Sequence, residues 1–271
     1  VDPKDREYAG LTLQNLAAGH LEKAELAFTM LRKDGAAVEI GVSSVVAVYQ
    51  SRPAIIGLLQ DISDKKVAED QIRRYAQQLE HTFIQTVALA TTLSEMRDPY
   101  TAGHEQRVAA ISVEIGREMG LDENQLEGLR IGGYLHDVGK LSVPIEILVK
   151  PSKLTENEYL LIKGHPQAGY DVLKGVDFPW PVAKIALQHH ERIDGSGYPQ
   201  GLKGDEIILE ARIAAVADVI ESMASHRPYR PGLGIDAALA EIERGRGTAY
   251  DAQVVAACLR LFRDKGYVIP G

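Results

Sequence analysis

The sequence predicts a mainly α-helical protein with a small antiparallel β-sheet near its N-terminal end and a long helix joining the sheet to the rest. Residues 24 to 62 are rich in β-branched residues and show apolar alternation, which is typical of strands. Apolar residues then recur at alternating steps of three and four in residues 63–95, and three-four spacing continues almost throughout the remainder. We therefore predict three parts, with boundaries at 1–62, 63–95 and 96–271.

The sheet is predicted from three apolar segments in the first part. They are "AELAFTML", "AVEIGVSSVVAVYQ" and "AIIGLLQDI", and the second alternates at Val38, Ile40 and Val42. Asp34-Gly35 in "RKDGAA" is a turn signal between the first two segments. These segments therefore predict a three-stranded antiparallel sheet.

The long helix is predicted to start near Ser63 or Asp64, either of which can cap it. Its heptad positions are Ile72, Tyr75, Leu79, Thr82, Thr86, Leu89 and Leu93. This seam could pack on its own domain, or it could pair with a second copy in a parallel coiled coil. We favour the second interpretation, which predicts a homodimer.

The third part is predicted to be all-α. Its helical segments are "EQRVAAISVEIGREMG", "NQLEGLRIGGYLHDVGK", "ENEYLLIKGH", "PVAKIALQHH", "LEARIAAVADVIESMAS", "IDAALAEIERG" and "DAQVVAACLRLF". Gly120, Gly139 and Gly245 lie where helices would end. Cys258, in an apolar run, is expected in the core.

Composition excludes several classes of function. The 271 residues are 45% hydrophobic and have a formal net charge of −8, so stable binding to duplex nucleic acid is not expected. The single cysteine excludes an internal disulfide and a thiolate cluster, and suits a reducing, cytoplasmic compartment. The sequence contains no apolar run of about 18 residues, so it predicts no membrane segment. Because the sequence begins at Val1, we expect a piece of a longer protein.

Five of the eight histidines occur with acidic residues in distinctive settings. They are His104, His136, His165, His189 and His190. Asp218 lies among alanines in "AAVADVIES", where a buried carboxylate would need a cation or a donor. Imidazoles and carboxylates together suit divalent iron, manganese or zinc.

Asp137, directly after His136, indicates two metal ions rather than one. Adjacent side chains on a helix point about 100° apart, so they cannot easily share a coordination position. A carboxylate can, however, bridge two ions while its neighbour binds one. Paired ions with a bridging hydroxide are a general apparatus for phosphodiester hydrolysis.

These motifs resemble the HD-GYP family of metal-dependent phosphohydrolases. The resemblance covers about residues 83 to 265 and rests on "YLHDVGK", "GHP", "HHERIDGSGYP" and "ARIAAVADVIESMASHRPYR", which occur in the family's order. It implies a cytoplasmic bacterial phosphodiesterase that uses a hydroxide activated by two metals, iron or manganese, to convert cyclic di-GMP to pGpG. Some members continue to GMP.

The resemblance also implies the site residues. The metal ligands would be His104, His136 and Asp218 for one ion and His165, His189 and His190 for the other, with Asp137 between them. Some members have a glutamate at the position of Tyr100 that supports a third ion, so we expect only two here. Glu221 replaces a common aspartate and is expected to pair with Lys140.

Further residues are implied to contact substrate or partners. Lys140 would offset charge on the phosphate and, with Asp137, form the catalytic pair. Arg227 and Arg230 would bind substrate, or belong to a solvated loop. Gly197, Tyr198 and Pro199 form the GYP loop, where Tyr198 would stack on substrate or contact a diguanylate-cyclase partner.

Residues 1 to about 70 resemble the C-terminal part of a PAS sensor domain, through "RKDG" and "DISDKKVAEDQI". Two alternatives to cyclic di-GMP hydrolysis remain at this point. The chain could hydrolyse another cyclic dinucleotide, or it could be a catalytically weak module that signals by binding. A phosphomonoesterase is disfavoured by the GYP loop.

Overall fold

The chain folds as two compact units, Val1–Thr82 and Phe83–Gly271, in a computed structural model that describes residues 1–96, 103–150, 152–225 and 232–270. The division falls within the long helix predicted to join the sheet to the helical part. The domain assignment made from the sequence stays a prediction.

The first unit is built on the predicted three-stranded antiparallel sheet. Helix α1 (Arg6–Ala17) precedes strands β1 (Lys23–Leu31), β2 (Ala37–Tyr49) and β3 (Arg52–Asp61), which lie in the order β1-β2-β3. Its small core contains Ala9 and Leu16 of α1 and Leu26 and Val38 of the sheet, all buried. The PAS-like interpretation of this unit stays a prediction.

Helix α2 (Ser63–Glu95) starts at the residue predicted to cap it. The Ser63 hydroxyl accepts a hydrogen bond from the Glu39 backbone N–H at 3.1 Å, and Lys66 pairs with the Glu39 carboxylate at 2.6 Å. These contacts tie the first turn of α2 to β2. Near its other end α2 buries Val87 and Thr91.

The second unit is helical. Its helices are α3 (His104–Glu118), α4 (Glu123–Leu135), α5 (Ile145–Leu148), α6 (Glu156–Lys163), α7 (His165–Leu173), α8 (Val182–Gln188), α9 (Leu209–Ala224), α10 (Ile235–Arg244) and α11 (Ala252–Leu259). The starts of α4 and α6 follow local chemistry, since Asp122 and Thr155 form capping boxes with Gln125 and Glu158.

The core of this unit is formed by the apolar stripes that the sequence showed. Its fully buried side chains include Ile111, Ile115, Leu129, Ile213, Val216, Ile242 and Val254. Cys258 is buried among them, as predicted, and burial raises the pKa of its thiol to about 12. The predicted mainly α fold with a small antiparallel sheet is confirmed. In the described ranges, no helix combines the length and apolar character needed to cross a bilayer.

Two helices are shorter than their apolar pattern predicted. Helix α4 ends at Leu135, so His136 caps it and Asp137 lies in the turn before a short 3-10 helix, Val138–Ser142. Helix α8 likewise ends at Gln188, before the two adjacent histidines. The expectation that His136 and Asp137 are neighbours within a helix was therefore wrong, and the backbone turn itself separates their side chains.

Candidate metal centre

The ends of four helices and the middle of a fifth bring the predicted ligands together. His104 and His165 begin α3 and α7, His136-Asp137 and His189-His190 follow the ends of α4 and α8, and Asp218 lies within α9. One glycine permits the approach of two of these elements. A Cβ atom on Gly139 would lie 2.0 Å from the His165 carbonyl oxygen. Glycine is thus required in "HDVGK" by packing.

Asp137 lies at the middle of the cluster and is only 2% exposed. Its Oδ2 atom lies 3.4 Å from His136 Nε2 and 3.8 Å from His104 Nε2. Its Oδ1 atom lies 3.1 Å from His165 Nε2 and 3.7 Å from His189 Nε2. Each carboxylate oxygen therefore faces a different pair of imidazoles.

Two groups of candidate ligands share Asp137. In each, the donor atoms all lie within 4.8 Å of one another; one group is His104, His136 and Asp137, and the other is Asp137, His165, His189 and His190. Asp218 adjoins the first group, with its Oδ1 atom 3.4 Å from His104 Nε2.

The hydrogen bonds on the outer side of the rings fix which nitrogen faces inward. Nδ1 of His136, His165 and His189 lies 2.7, 2.7 and 2.8 Å, respectively, from a backbone carbonyl oxygen three residues earlier. A carbonyl only accepts, so Nδ1 must donate, and neutral imidazole then has a lone pair on Nε2.

Those lone pairs face other acceptors, which is the arrangement that a cation would stabilise. His165 Nε2 lies 3.3 Å from His189 Nε2, and both lie close to the ionised Asp137. His136 Nε2 and Asp137 Oδ1 are buried without a hydrogen-bond partner. Buried acceptors that converge without donors are costly. The residues present therefore fit a divalent cation.

Burial and charge set the protonation states that metal binding requires. Burial lowers the pKa of His136 to about 4 and also lowers the pKa of His165. Burial opposes ionisation of Asp137, but Lys140 and the neighbouring imidazoles hold its pKa well below the usual range. Neutral imidazoles around an ionised carboxylate are the ligand forms that bind metal.

His104 differs because carboxylates lie on both of its nitrogens. Burial opposes its protonation, yet Asp218 and Glu221 raise its pKa to about 10. Glu221 is 1% exposed and contacts Nδ1 of His104, while Arg107 and Ser225 donate to its Oε1 atom at 2.7 and 2.6 Å. From the sequence, we expected Glu221 to pair with Lys140. Among the described residues, the contacts that fix the Glu221 carboxylate are those with His104, Arg107 and Ser225.

The GYP loop folds back on the second group of ligands. The Tyr198 ring stacks on His190 at 4.8 Å between centroids, with 26° between planes. Glu191, buried, accepts hydrogen bonds from the backbone N–H groups of Gln200 and Leu202 at 2.7 and 3.0 Å. A Cβ atom on Gly197 would lie 2.3 Å from the backbone nitrogen of Arg192, so this glycine too is required by packing.

The structure describes only some of the other residues predicted for the site. Lys140 is half-buried and pairs with Asp137, one turn away in the 3-10 helix. Pro199 is exposed at the end of the loop, after a cis peptide bond. Tyr100, Arg227 and Arg230 lie outside the described residues.

Comparison with known proteins assigns the family. A family model described as HD domain matches residues 88–254, which is more than half of the chain. The chain therefore belongs to the HD domain family, and the helical unit with its His-Asp cluster is the part that matches. This confirms the HD part of the resemblance read from the sequence.

Several curated relatives are similar to this chain. The cyclic di-GMP phosphodiesterase response regulator RpfG of Xanthomonas campestris is 42% identical over 178 residues, which are 65% of this chain and 47% of that protein. A cyclic di-GMP phosphodiesterase of Thermotoga maritima is 39% identical over 202 residues, 74% of this chain and 54% of that protein. The 3'3'-cGAMP-specific phosphodiesterase 3 of Vibrio cholerae is 38% identical over 179 residues, 65% and 39% of the two chains. The chain spans about half the length of the first two.

Proposed function

We propose that this chain is a phosphodiesterase that hydrolyses cyclic di-GMP to pGpG, or onward to GMP, in bacterial second-messenger signalling. Two divalent cations, iron or manganese, would be held by the ligands named above. The observation that carries the proposal is Asp137, whose two oxygens face two different pairs of imidazoles. The names of similar proteins support the substrate class.

The side chains of the chain have separable roles in this proposal. Cations bound at the cluster would supply Lewis acidity to activate water and polarise the phosphate. The carbonyl-anchored histidines hold their Nε2 atoms in fixed positions, so little reorganisation is needed on binding. Lys140, which pairs with Asp137, would offset the negative charge that develops on the phosphate oxygens. The helix ends around Asp137 exclude bulk water.

Turnover of cyclic di-GMP by the purified chain tests the proposal. We expect hydrolysis with Mn²⁺ or Fe²⁺, and loss of both bound metal and turnover in His136→Ala and Asp137→Ala. Lys140→Ala should keep its metal and lose kcat. Hydrolysis that survives the loss of metal in the first two variants would contradict the proposal, as would unchanged kcat/KM in the third.

A second substrate is favoured by a specific observation. Relatives named as 3'3'-cGAMP-specific phosphodiesterases are 38% and 40% identical to this chain, close to the relatives named for cyclic di-GMP. The ratio of kcat/KM for the two cyclic dinucleotides decides between them. A ratio that favours 3'3'-cGAMP at least tenfold would assign that substrate instead.

We further propose that the chain is a homodimer through α2. The apolar seam predicted from the sequence is exposed along this helix, including Ile72, Leu79 and Leu89 at 68%, 71% and 60% exposure. An exposed heptad seam is the surface that a parallel coiled coil buries. The exposed end of the GYP loop at Pro199 would be available to a diguanylate-cyclase domain.

A further inference from the structure

A lysine and two tyrosines form a second cluster beside the metal centre. Lys163 ends α6, and its Nζ atom lies 5.0 Å from the ring centroid of Tyr159 and 5.0 Å from that of Tyr198. Tyr198 in turn stacks on His190. The Lys163 ammonium group therefore lies within about 10 Å of the His190 ring centroid. We call Tyr159, Lys163 and Tyr198 the lysine–tyrosine cluster.

The ammonium group of this cluster lacks an anionic partner within the described part of the chain. Lys140 and Lys150 each pair with a carboxylate, whereas Lys163 has only the two aromatic rings. A cation–π contact satisfies charge weakly and leaves the N–H donors able to bind an anionic oxygen. Lys163 is half-buried, so its side chain is already partly ordered.

The substrate class of the proposed function has an anionic group that needs such a partner. A cyclic dinucleotide contains two phosphodiesters, and only one can lie at the cations and Lys140 at a time. The other keeps its negative charge on a protein whose formal net charge is −8. A nearby fixed cation would therefore strengthen its binding.

We propose that Lys163 binds the phosphate that is not being cleaved, with Tyr159 and Tyr198 orienting its ammonium group. This inference rests on the proposed function. It makes Lys163 a substrate-binding residue that acts on affinity, whereas Lys140 acts on the reacting phosphate. Tyr159 lies one turn before Lys163 on α6, which favours one orientation of the lysine side chain.

Two substrates separate the roles of the two lysines. Cyclic di-GMP has a second phosphate, whereas bis(p-nitrophenyl) phosphate has one phosphodiester and nothing for Lys163 to bind. The variants are Lys163→Gln and Lys163→Arg. The control is Lys174→Gln, because Lys174 also lies over a tyrosine ring, 5.8 Å from the Tyr170 centroid, but is paired with Asp171.

We expect Lys163→Gln to raise KM for cyclic di-GMP about tenfold, the loss of one charge-assisted hydrogen bond, with kcat within about twofold. Lys163→Arg should restore most of the affinity. Neither change should alter bound metal or the hydrolysis of bis(p-nitrophenyl) phosphate, and Lys174→Gln should match the unaltered chain.

An unchanged KM in Lys163→Gln would overturn the inference. Equal losses on both substrates would overturn it too, because they would place the effect at the cleaved phosphate or in folding. If the unaltered chain cleaves bis(p-nitrophenyl) phosphate but not cyclic di-GMP, the proposed function fails and the inference fails with it. That result comes from the unaltered chain, so it is distinct from a failure of Lys163 alone.

Discussion

At the scale of single residues, the candidate metal centre depends on which atom each side chain turns inward. Asp137 offers one oxygen to each pair of imidazoles, and backbone carbonyls hold three of those imidazoles by Nδ1. Neither feature can be predicted from the identities of the ligand residues alone. A histidine that turned Nδ1 inward would leave its anchoring carbonyl without a donor.

Glu221 illustrates what the sequence could not predict at this scale. The sequence placed it one turn after Asp218, but its contact with His104 joins residues 117 positions apart. A carboxylate on the far nitrogen of a metal-binding histidine orients the ring and raises its basicity. Spacing along α9 carries no signal for a partner on α3, so only the fold reveals this role.

We predict that Glu221→Gln weakens metal binding about 10- to 100-fold, because the amide cannot replace the charge beside His104 Nδ1. Titration of metal-free protein with Mn²⁺ measures the change. Glu243→Gln is the matched control, since Glu243 is exposed and pairs only with Arg263 at 2.8 Å among the described contacts. A metal affinity equal in both variants would contradict the orienting role.

At the scale of helices and strands, periodicity predicted the type of most long elements. The β2 alternation at Val38 and Ile40 and the apolar stripe of α9 both correspond to elements of the predicted kind. Periodicity did not find where α4 stops, because His136 still has helical dihedral angles and only the backbone of Asp137 leaves the helical region. Nor did it predict α1, a helix of 12 residues before the sheet.

The contact between the 3-10 helix Val138–Ser142 and α7 depends on the absence of a side chain at Gly139. A Cβ atom on Gly139 would meet two backbone atoms, His165 O at 2.0 Å and Gly169 N at 2.5 Å. Backbone cannot rotate away as a side chain can, so α7 would have to move. Such movement would separate His165 from Asp137, now 3.1 Å apart.

We therefore predict that Gly139→Ala destabilises the helical unit by about 1–3 kcal/mol and lowers its metal affinity. Urea unfolding followed by circular dichroism gives the first quantity, and metal titration the second. Gly175→Ala is the control, because a Cβ atom there meets nothing within 4 Å. If the two variants are equally stable, α7 does not depend on this contact.

The exposed seam of α2 leads to a prediction about association. Leu79 occupies a central seam position at 71% exposure, whereas Gln77 lies on the opposite side of the heptad. Leu79→Asp would place two carboxylates against each other in a parallel pair, where they would be costly to desolvate. We expect self-association to weaken at least about 100-fold in Leu79→Asp and to persist in Gln77→Asp.

Sedimentation equilibrium at micromolar concentration measures both variants and the unaltered chain. Equal association of all three would place any dimer contact away from the seam. A strictly monomeric unaltered chain would exclude the proposed homodimer.

At the scale of the whole molecule, the charge of the chain and the charge of the proposed substrate have the same sign. A formal net charge of −8 does not attract an anionic dinucleotide from a distance, and salt screens such fields beyond about 8 Å. Affinity must therefore arise from local positive charge. Lys140, Lys163 and the bound cations would supply it within one region of the helical unit.

The two compact units should respond differently to metal removal. The groups of histidine and aspartate able to hold an ion, as far as the described residues extend, all lie in Phe83–Gly271. A ligand that binds only the folded state stabilises it by RT ln(1 + [L]/Kd), about 4 kcal/mol at a thousandfold excess over Kd. Chelation removes this stabilisation of the folded state. It also leaves the imidazole Nε2 atoms and the carboxylate oxygens around Asp137 facing one another without a cation between them.

We predict that chelation with EDTA speeds hydrogen exchange at amides beside the ligands, in α3, α4, α7 and α8, and leaves exchange in β1, β2 and β3 unchanged. The physical reason is that these ligands come from the ends of separate helices, so each bound cation adds a direct link between elements that are far apart in the sequence. Exchange measured by mass spectrometry, with Mn²⁺ added back as the control, resolves the two units. Protection lost equally from the strands would mean that the cation stabilises more than the unit that binds it, and protection unchanged in α7 would remove His165 from the ligands.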